Sequence, residues 1–291
     1  MTTPFRFAHI SDLHFGSFSL SPLQFFSKRF VGNFNFLLNR RKAFAYNRLI
    51  DLIDLFKKEG VTHIFITGDF SVTSRKIEFS MGKNYLDLLR KEGFTLFTVP
   101  GNHDHYTKRS HRKKTFYRFF DKQFDPDCPL SLKKDLVTYT QLVQGLWVVA
   151  LDTATATPLY SAEGHFSPEA EESLEKAFQA IPKEDTILLM NHFPLFTTEK
   201  GKNSLVRAPL LKSLLAKNPN ILLYLHGHSH RQAVADLRPN QLPIISDCGS
   251  TPHRKEGACH LFTLEKTEIS LDVYRFDDEW KKDHSHTFER A

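Results

Sequence analysis

The stretch "FRFAHISDLH", residues 5–14, joins an apolar, strand-like run to Asp12 and His14, which stand two positions apart directly after it. In an extended chain, alternate side chains point to the same face. The two polar side chains can therefore act together at the point where the strand ends. The pattern predicts a first β-strand whose exit carries a functional pair.

Four further apolar runs end in the same way, with polar side chains immediately after them. They are "VTHIFIT" (61–67), "FTLFTV" (94–99), "TILLM" (186–190) and "NILLYL" (220–225). Sheets of α/β proteins usually place their ligand sites at the carboxyl ends of strands, so we expect the five exits to meet. The residues at these exits are Asp12, His14, Asp69, Asn102, His103, Asp104, His192, His226, His228 and His230.

Each exit also has an ordinary structural explanation when it is taken alone. Asp69 after a glycine is a common turn residue, and His192 could be a buried histidine bonded to backbone. Asn102 could serve a turn that needs positive φ. The "GHSH" run at 227–230 could be a polar strand end, although its alternating histidines share one face. Five such explanations would have to hold together at one edge of the sheet, which favours a shared site.

The rest of the chain alternates strand-like and helix-like stretches and then becomes β-rich after Arg231. Such a pattern predicts an α/β sandwich with mixed sheets, formed as a single domain over residues 1–278. Residues 279–291 are polar, and we expect a frayed tail there. The predicted helices are 47–58, with Leu49, Ile50, Leu52, Ile53, Leu55 and Phe56 facing inward, and 78–90, 168–180 and 208–217.

Composition narrows the environment and the partners. The 291 residues carry a net charge of +6, which favours anionic partners such as phosphates. The three cysteines, Cys128, Cys248 and Cys259, form no metal or disulfide pattern, so a reducing compartment is expected. Without a secretory signal or an apolar run of 18 residues, we expect a cytoplasmic protein. The 27 phenylalanines predict a Phe-rich core, an apolar surface, or both.

The donor types at the strand exits fit two metal ions better than any other cofactor. The chain has no P-loop, no GxGxxG and no nucleophile elbow. Imidazole, carboxylate and amide oxygen together suit divalent manganese, iron, zinc or magnesium. Two ions about 3.5–4 Å apart need a shared carboxylate, and Asp69 is the natural bridge.

The blocks D-x-H, G-D, G-N-H-D, H and G-H-x-H, in this order between Phe5 and Arg231, resemble the calcineurin-like metallophosphoesterase superfamily. The resemblance implies an αββα sandwich, with two mixed sheets flanked by helices, and two divalent ions, with manganese favoured. It implies that His103 is the general acid and that Asp104 orients its ring. From their positions, His226 and Asp152 are candidates to support the ligands without touching the metals, and His226 could equally be a strand-end histidine bonded to backbone. The ligands implied are Asp12, His14, Asp69 and His230 for one ion, and Asp69, Asn102, His192 and His228 for the other.

The chemistry expected of such a centre is phosphoester hydrolysis. Two divalent ions lower the pKa of a bridging water toward neutrality and clamp the phosphoryl oxygens. The resulting hydroxide attacks phosphorus in line with the leaving oxygen. Protonation of that oxygen by His103 is worth roughly 10²–10⁴-fold in rate.

The substrate remains open. "GDFSVTSRKIEF" (68–79) and the nearby "VPGNHD" (99–104) resemble the bacterial class III cyclic-nucleotide phosphodiesterases, which favours a phosphodiester. A lipid-linked substrate is the alternative, as for the UDP-2,3-diacylglucosamine pyrophosphohydrolases of lipid A synthesis in the same superfamily. A nucleic-acid substrate and a non-catalytic interaction module are further alternatives. The intact ligand set argues against the last of these.

The segment 16–46 bears on that choice, because it interleaves six phenylalanines with basic residues where a short loop would suffice. It predicts either helices packed on the domain or an amphipathic cap. A cap would touch acidic lipid, which gives a peripheral contact with the inner face of the membrane, or would bind an acyl chain. A second basic cluster at 108–114, "KRSHRKK", adds positive charge beside the expected cleft and favours phosphate-rich substrates, either small-molecule or lipid-linked.

Overall fold

The computed structural model describes residues 3–17, 28–29, 43–120, 123–158, 161–196 and 203–290. In these residues, two six-stranded sheets pack face to face, and helices cover their outer faces. The strands are β1 Phe5–Ile10, β2 His63–Thr67, β3 Thr95–Val99, β4 Val137–Val143, β5 Leu146–Leu151, β6 Gly164–His165, β7 Thr186–Met190, β8 Leu205–Val206, β9 Ile221–His226, β10 Gln232–Asp236, β11 Ile244–Cys248, β12 Ala258–Leu264, β13 Glu268–Asp277 and β14 Glu279–Glu289. The α-helices are α1 Asn47–Lys58, α2 Lys76–Lys91, α3 Lys108–Arg112, α4 Leu132–Asp135, α5 Pro168–Ala180 and α6 Ala208–Ala216.

Both large sheets are mixed, as the sequence predicts. The first has the order β14-β13-β12-β1-β2-β3, in which β1, β2 and β3 are parallel and the other neighbours are antiparallel. The second has the order β10-β11-β9-β7-β5-β4, with parallel pairing in its centre and antiparallel strands at both edges. The parallel strands in the two sheets bring their carboxyl ends to one side of the sandwich.

Phenylalanine fills much of the space between and around the sheets. Phe7 on β1 stacks on Phe262 of β12, with ring centroids 4.7 Å apart, and meets Phe65 of β2 edge-on at 4.9 Å. The next residue on the same face of β1, His9, bonds Ser246 of the second sheet. This face of β1 therefore lies against the second sheet, so the Phe-rich part of the core is confirmed.

Two local predictions are wrong. Ile50, expected inward, is 50% exposed, because it lies off the stripe formed by Leu49, Leu52 and Phe56. The expected frayed tail is instead strand β14, which pairs antiparallel with β13 from the Asp277–Glu279 pair to Glu268–Glu289. Its polar sequence is compatible with an edge strand, from which only a few residues, such as Trp280 and Phe288, pack against the core.

Most of segment 16–46 lies outside the described residues. The prediction of a cap or of packed helices therefore stays a prediction. Lys28 and Arg29 are described, and both contact loops near the strand exits. Lys28 Nζ donates to Thr157 O at 3.1 Å, and Arg29 donates to Thr73 O and Ser74 O at 3.1 and 2.9 Å. Among the helices of the described ranges, none is long and apolar enough to cross a membrane.

Candidate metal centre

Backbone hydrogen bonds tie the strand-exit loops to one another. Asp12 N donates to Gly68 O at 3.1 Å, and His14 N donates to Asp69 O at 2.8 Å. These bonds join the loops after β1 and β2. In the second sheet, Gly227 N donates to His192 O at 3.1 Å, which joins the loops after β7 and β9. The exits are thus cross-linked within each sheet.

Several of the predicted ligands have left-handed backbone conformations. Only glycine adopts this region freely, and another residue pays about 1–2 kcal/mol there. The loops therefore hold these residues in place against a local conformational cost. The residues and their φ values are Asp12 at 54°, His14 at 48°, Asp69 at 53°, His228 at 71° and His230 at 57°.

Glycines next to the ligands let the loops approach closely. A Cβ on Gly101 would overlap Oδ1 of Asp69. A Cβ on Gly227 would overlap Oγ of Ser11 and Oδ2 of Asp12, which lie on the loop of the other sheet. The glycines of the G-N-H-D and G-H-x-H blocks are therefore steric requirements of the site.

A first group of ligand atoms gathers between β1 and the loop after β9. The Nε2 atoms of His14 and His230 are 2.9 Å apart. Asp12 Oδ1 lies 3.1 Å from His230 Nε2 and 3.5 Å from His14 Nε2. This carboxylate oxygen is buried without a hydrogen-bond partner, whereas Oδ2 accepts bonds from Ser11 Oγ at 2.7 Å and His228 N at 3.0 Å.

A second group gathers around the amide oxygen of Asn102. His228 Nδ1 lies 3.0 Å from Asn102 Oδ1, His192 Nε2 lies 3.2 Å from it, and the two nitrogens are 3.3 Å apart. The opposite nitrogens are already engaged with carbonyls. His192 Nδ1 donates to Thr67 O at 2.7 Å, and His228 Nε2 donates to Asn203 O at 3.2 Å. The nitrogens that face Asn102 therefore carry lone pairs and no proton.

One oxygen of Asp69 reaches both groups. Its Oδ2 lies 3.7 Å from His14 Nε2 and 3.6 Å from His192 Nε2. Its Oδ1 accepts a hydrogen bond from His103 N at 2.8 Å, which fixes the orientation of the carboxylate. Asp69 thus occupies the place that a bridging carboxylate requires.

The donor set fits two divalent cations. Two lone-pair nitrogens and an amide oxygen face one another around Asn102, and three acceptors without a proton between them fit a bound cation. In the first group, Asp12 Oδ1 is buried without a hydrogen-bond partner, and this oxygen also fits a bound cation. Within the described residues, three sets of side chains bring their ligand atoms within 4.8 Å of one another: Asp12–His14–His230, His14–Asp69–His103 and Asp12–Asp69–His192.

The protonation states suit metal binding. Burial works against ionisation of Asp12, yet the neighbouring His230 and His14 lower its pKa well below the usual range. Burial lowers the pKa of His228 to about 3, with a further contribution from His192, and burial also lowers the pKa of His192. At neutral pH, the carboxylate is therefore charged and both imidazoles are neutral, as metal ligands must be.

His103 stands beside the ligands, but Asp104 does not orient its ring as predicted. His103 Nδ1 donates to Val72 O at 2.7 Å, and the ring stacks on Tyr106 with centroids 5.4 Å apart. Asp104 instead accepts bonds from the backbone N–H groups of Phe70, Ser71 and Gly101 at 2.9–3.1 Å. Burial raises the pKa of Asp104 to about 6 against these bonds, and its role is to join the loops after β2 and β3.

The remaining sequence candidates lie around the centre. His226 Nδ1 donates to Gly227 O at 3.0 Å and is 3.5 Å from Asp247, so His226 is a strand-end histidine bonded to backbone. Asp152 accepts bonds from Tyr117 OH and Ala154 N, away from the metal ligands. Its charge works against the lowering of the His192 pKa, so it does not favour the neutral ligand.

Several contributors to the site were missed from the sequence because they act through backbone atoms or adjacent hydroxyls. The carbonyls of Thr67, Val72 and Asn203 fix the ring nitrogens of three histidines. Carbonyls occur in every residue, so no pattern in the sequence marks these. Ser11 was the one detectable case, since a hydroxyl next to Asp12 is placed to bond it.

The chain belongs to the calcineurin-like phosphoesterase family, whose model matches residues 5–232. Together with the ligand geometry, this makes the protein a metal-dependent phosphoesterase with a site for two divalent ions. No curated protein sequence gives a significant match to the chain.

Solved structures show the same fold at low sequence identity. A dimetal phosphatase from Danio rerio is 12% identical, with a TM-score of 0.60 and 99% of each chain covered. The purple acid phosphatase PPD1 from yellow lupin (Lupinus luteus) seeds is 12% identical, with a TM-score of 0.64. The match covers 99% of this chain and 54% of that chain. GAP50, the anchor in the inner membrane complex of Plasmodium, is 14% identical, with a TM-score of 0.57, and 98% of this chain covers 89% of it.

Proposed function

We propose that the protein is a dinuclear-metal phosphodiesterase. The observation that carries this proposal is the position of Asp69 Oδ2, which lies 3.7 and 3.6 Å from the ligand nitrogens of His14 and His192. One carboxylate thereby divides the ligands into two adjacent sets. The first set is Asp12, His14 and His230, and the second is Asn102, His192 and His228.

Two divalent cations at these ligands would supply Lewis-acid activation of water and of the phosphoryl oxygens. Manganese is the ion we propose, because imidazole nitrogens and carboxylate oxygens together suit a borderline to hard metal. The chain itself keeps the ligands unprotonated. Thr67 O and Asn203 O hold His192 and His228 in the tautomers whose lone pairs face Asn102.

His103 is proposed as the general acid. Because Nδ1 donates to Val72 O, Nε2 is the nitrogen that can give a proton to the leaving oxygen. Tyr106 stacks on the ring and restricts its rotation. The bond from His103 N to Asp69 Oδ1 keeps the acid at a fixed place relative to the proposed bridging carboxylate.

The test is hydrolysis by manganese-loaded protein, with bis-p-nitrophenyl phosphate as the diester and p-nitrophenyl phosphate as the monoester. We expect a higher kcat/KM for the diester, and about two bound ions per chain by elemental analysis. His103→Ala should retain metal and lose most of its activity on an unactivated diester, whose leaving oxygen needs a proton, and much less on the p-nitrophenyl esters. His165→Ala, at an exposed histidine of β6, is the matched control. Full activity in Asp69→Ala would refute the bridging assignment, and faster monoester cleavage would refute the diesterase.

A lipid-linked pyrophosphohydrolase is the second candidate. It is favoured by two basic residues of segment 16–46 that lie next to the proposed acid. Lys28 Nζ sits 4.6 Å from the ring centroid of Tyr106, which stacks on His103, and Arg29 bonds the loop at Thr73 and Ser74. Such a protein would work on the cytoplasmic membrane surface, with the segment in contact with lipid.

A comparison of two substrates separates these candidates. Cyclic AMP and UDP-2,3-diacylglucosamine would be offered with manganese, before and after deletion of residues 19–42. Turnover of the lipid alone, lost with the deletion, would establish the second candidate. Turnover of cyclic AMP that survives the deletion would reject it and make the segment structural.

Since a protein named as an anchor shares the fold, the fold alone does not separate an enzyme from an interaction module. The complete donor set favours the enzyme. Purified protein that binds no divalent ion would support the interaction module instead.

A further inference from the structure

A cavity of about 650 Å³ opens beside the metal centre and extends away from it. At one end it is lined by Asp69, Asn102, His103 and His228 of the centre. Its other end is apolar, and much of the lining there comes from short or aliphatic side chains. The apolar lining residues are Ala162, Pro194, Leu195, Phe196, Ala233, Ala235, Leu237 and Ile245.

Strand register explains why the apolar end is open. Ala235 pairs with Ile245, and Ile245 pairs with Tyr224, so these three side chains form one row across β10, β11 and β9. Tyr224 is fully buried in the apolar layer beneath helices α5 and α6. At the β10 end of the row, Ala235 is exposed among the described residues, and its small side chain leaves space above the sheet.

The polar groups in the floor of the cavity are engaged with the protein. The neighbouring row consists of Ala233, Asp247 and His226. Asp247 accepts bonds from Ser229 Oγ and Gly249 N, and His226 donates to Gly227 O. Arg231 and Asn203 also line the cavity. The apolar lining residues themselves offer no side-chain partner to the hydroxyls of a sugar or to the donors and acceptors of a base.

We propose that the apolar end receives a hydrocarbon substituent of the phosphoester, an alkyl chain or an unsubstituted aromatic ring. The proposal rests on the phosphodiesterase function above. A phosphoryl group held at the metal centre has its ester substituents within the same cavity, because Asp69 and His103 line it together with Ala235 and Leu237. Phe196, which is 46% exposed, would cover part of the bound hydrocarbon at the rim.

A series of p-nitrophenyl alkyl phosphodiesters tests this, with methyl, propyl and hexyl esters and manganese-loaded protein. All members share one leaving group, so only the alkyl chain varies. We expect kcat/KM to rise roughly fourfold for each methylene that leaves water, until the apolar end is filled. The gain should appear mainly in KM.

Ala235→Phe should fill the apolar end and bring the hexyl ester down to the kcat/KM of the methyl ester, with methyl turnover unchanged. Ala180→Phe, at an exposed position on α5, is the matched control for the added ring. If Ala235→Phe fails to fold, Phe196→Ser removes an exposed side chain and should lower the hexyl-to-methyl ratio severalfold.

A flat series that Ala235→Phe does not affect would overturn the inference while leaving the phosphodiesterase intact. A hexyl preference that survives both Ala235→Phe and Phe196→Ser would also overturn it, because the chain would then bind elsewhere. No turnover of any member would refute the proposed function itself.

Discussion

Two groups of buried and partly buried histidines in this protein look alike in sequence and differ in their partners. In the metal centre, His192 and His228 turn lone pairs toward each other and toward an amide oxygen. Between the sheets, His9 lies 3.0 Å from Ser246 Oγ and 2.9 Å from Thr67 Oγ1. A hydroxyl can donate or accept, so it satisfies either ring nitrogen without a cation.

We call the second group, His9, Thr67, Ser246 and His260, the inter-sheet chain. Ser246 Oγ also lies 2.8 Å from His260 Nδ1, so one hydroxyl joins two histidines. In this protein, the histidines whose neighbours are acceptors only are the proposed ligands, and the histidines whose neighbours are hydroxyls are structural. Changes in the first group should therefore remove metal and activity, and changes in the second should alter stability alone.

The largest expected effect is that of Asp69→Asn. Removing the charge that reaches both ligand groups should lower kcat/KM by at least about 10³-fold, because both sites lose a charged ligand. Elemental analysis should show the loss of at least one ion. The free energy of unfolding of the metal-free protein should change little, since Oδ1 can still accept the bond from His103 N. Full metal content in Asp69→Asn would contradict the distinction between the metal centre and the inter-sheet chain.

His103→Gln should cost roughly 10²–10⁴-fold in kcat, the usual contribution of a general acid. Metal content should stay at the wild-type level. An activated diester whose leaving group needs no proton should lose much less activity, which distinguishes acid catalysis from a disturbed site. Equal losses for activated and unactivated esters would argue against the assignment.

Acid should weaken the metal-free protein through the inter-sheet chain. Burial lowers the pKa of His9, and it lowers the pKa of His260 to about 3. Because the folded-state pKa lies below the unfolded value of about 6.5, the unfolded chain binds more protons between these values. Stability is therefore complete above about pH 6.5 and falls as the pH drops toward 3.

Urea unfolding at pH 7, 6 and 5 in the presence of a chelator measures this. Each fully shifted histidine contributes a slope of up to about 1.4 kcal/mol per pH unit. His260→Gln should flatten the curve by that amount. An unchanged slope would show that His260 does not titrate on unfolding.

Ser246→Ala is expected to have the smallest effect. It leaves the ring nitrogens of His9 and His260 without their shared hydroxyl, which costs about 1–3 kcal/mol of unfolding free energy. Diester hydrolysis and metal content should remain at wild-type values. A loss of activity larger than the loss of folded protein would connect the inter-sheet chain to the metal centre and blur the distinction.

The sequence was most informative where a residue type that can bind metal directly follows a strand-like run. Asp12, His14, Asp69, Asn102, His192, His228 and His230 all follow strand-like runs, and the structure brings them together at one edge. Periodicity also located helix α1, and the apolar run 186–190 located strand β7, at their observed bounds. Both signals are local, so a linear pattern is enough to carry them.

What the sequence could not supply depends on partners far along the chain. Val72 O replaces Asp104 at His103 because the loops after β2 and β3 meet, and backbone contacts leave no mark in composition. Strand β14 looks polar and tail-like until β13 lies beside it. Ala233 and Ala235 appeared as ordinary strand residues, and their role in the cavity depends on the loops that line it with them.

The pairing of β1 with β12 has a consequence for biosynthesis. Residues 5–9 bond residues 260–264, so one edge of the apolar strand "FRFAHI" has no partner until nearly the whole chain has been made. At about 5–20 residues per second, this edge waits roughly 10–50 s on the ribosome. An open, apolar strand edge is prone to pair with other chains. A chain cut at residue 232, where the family match ends, would keep every metal ligand and leave that edge open permanently.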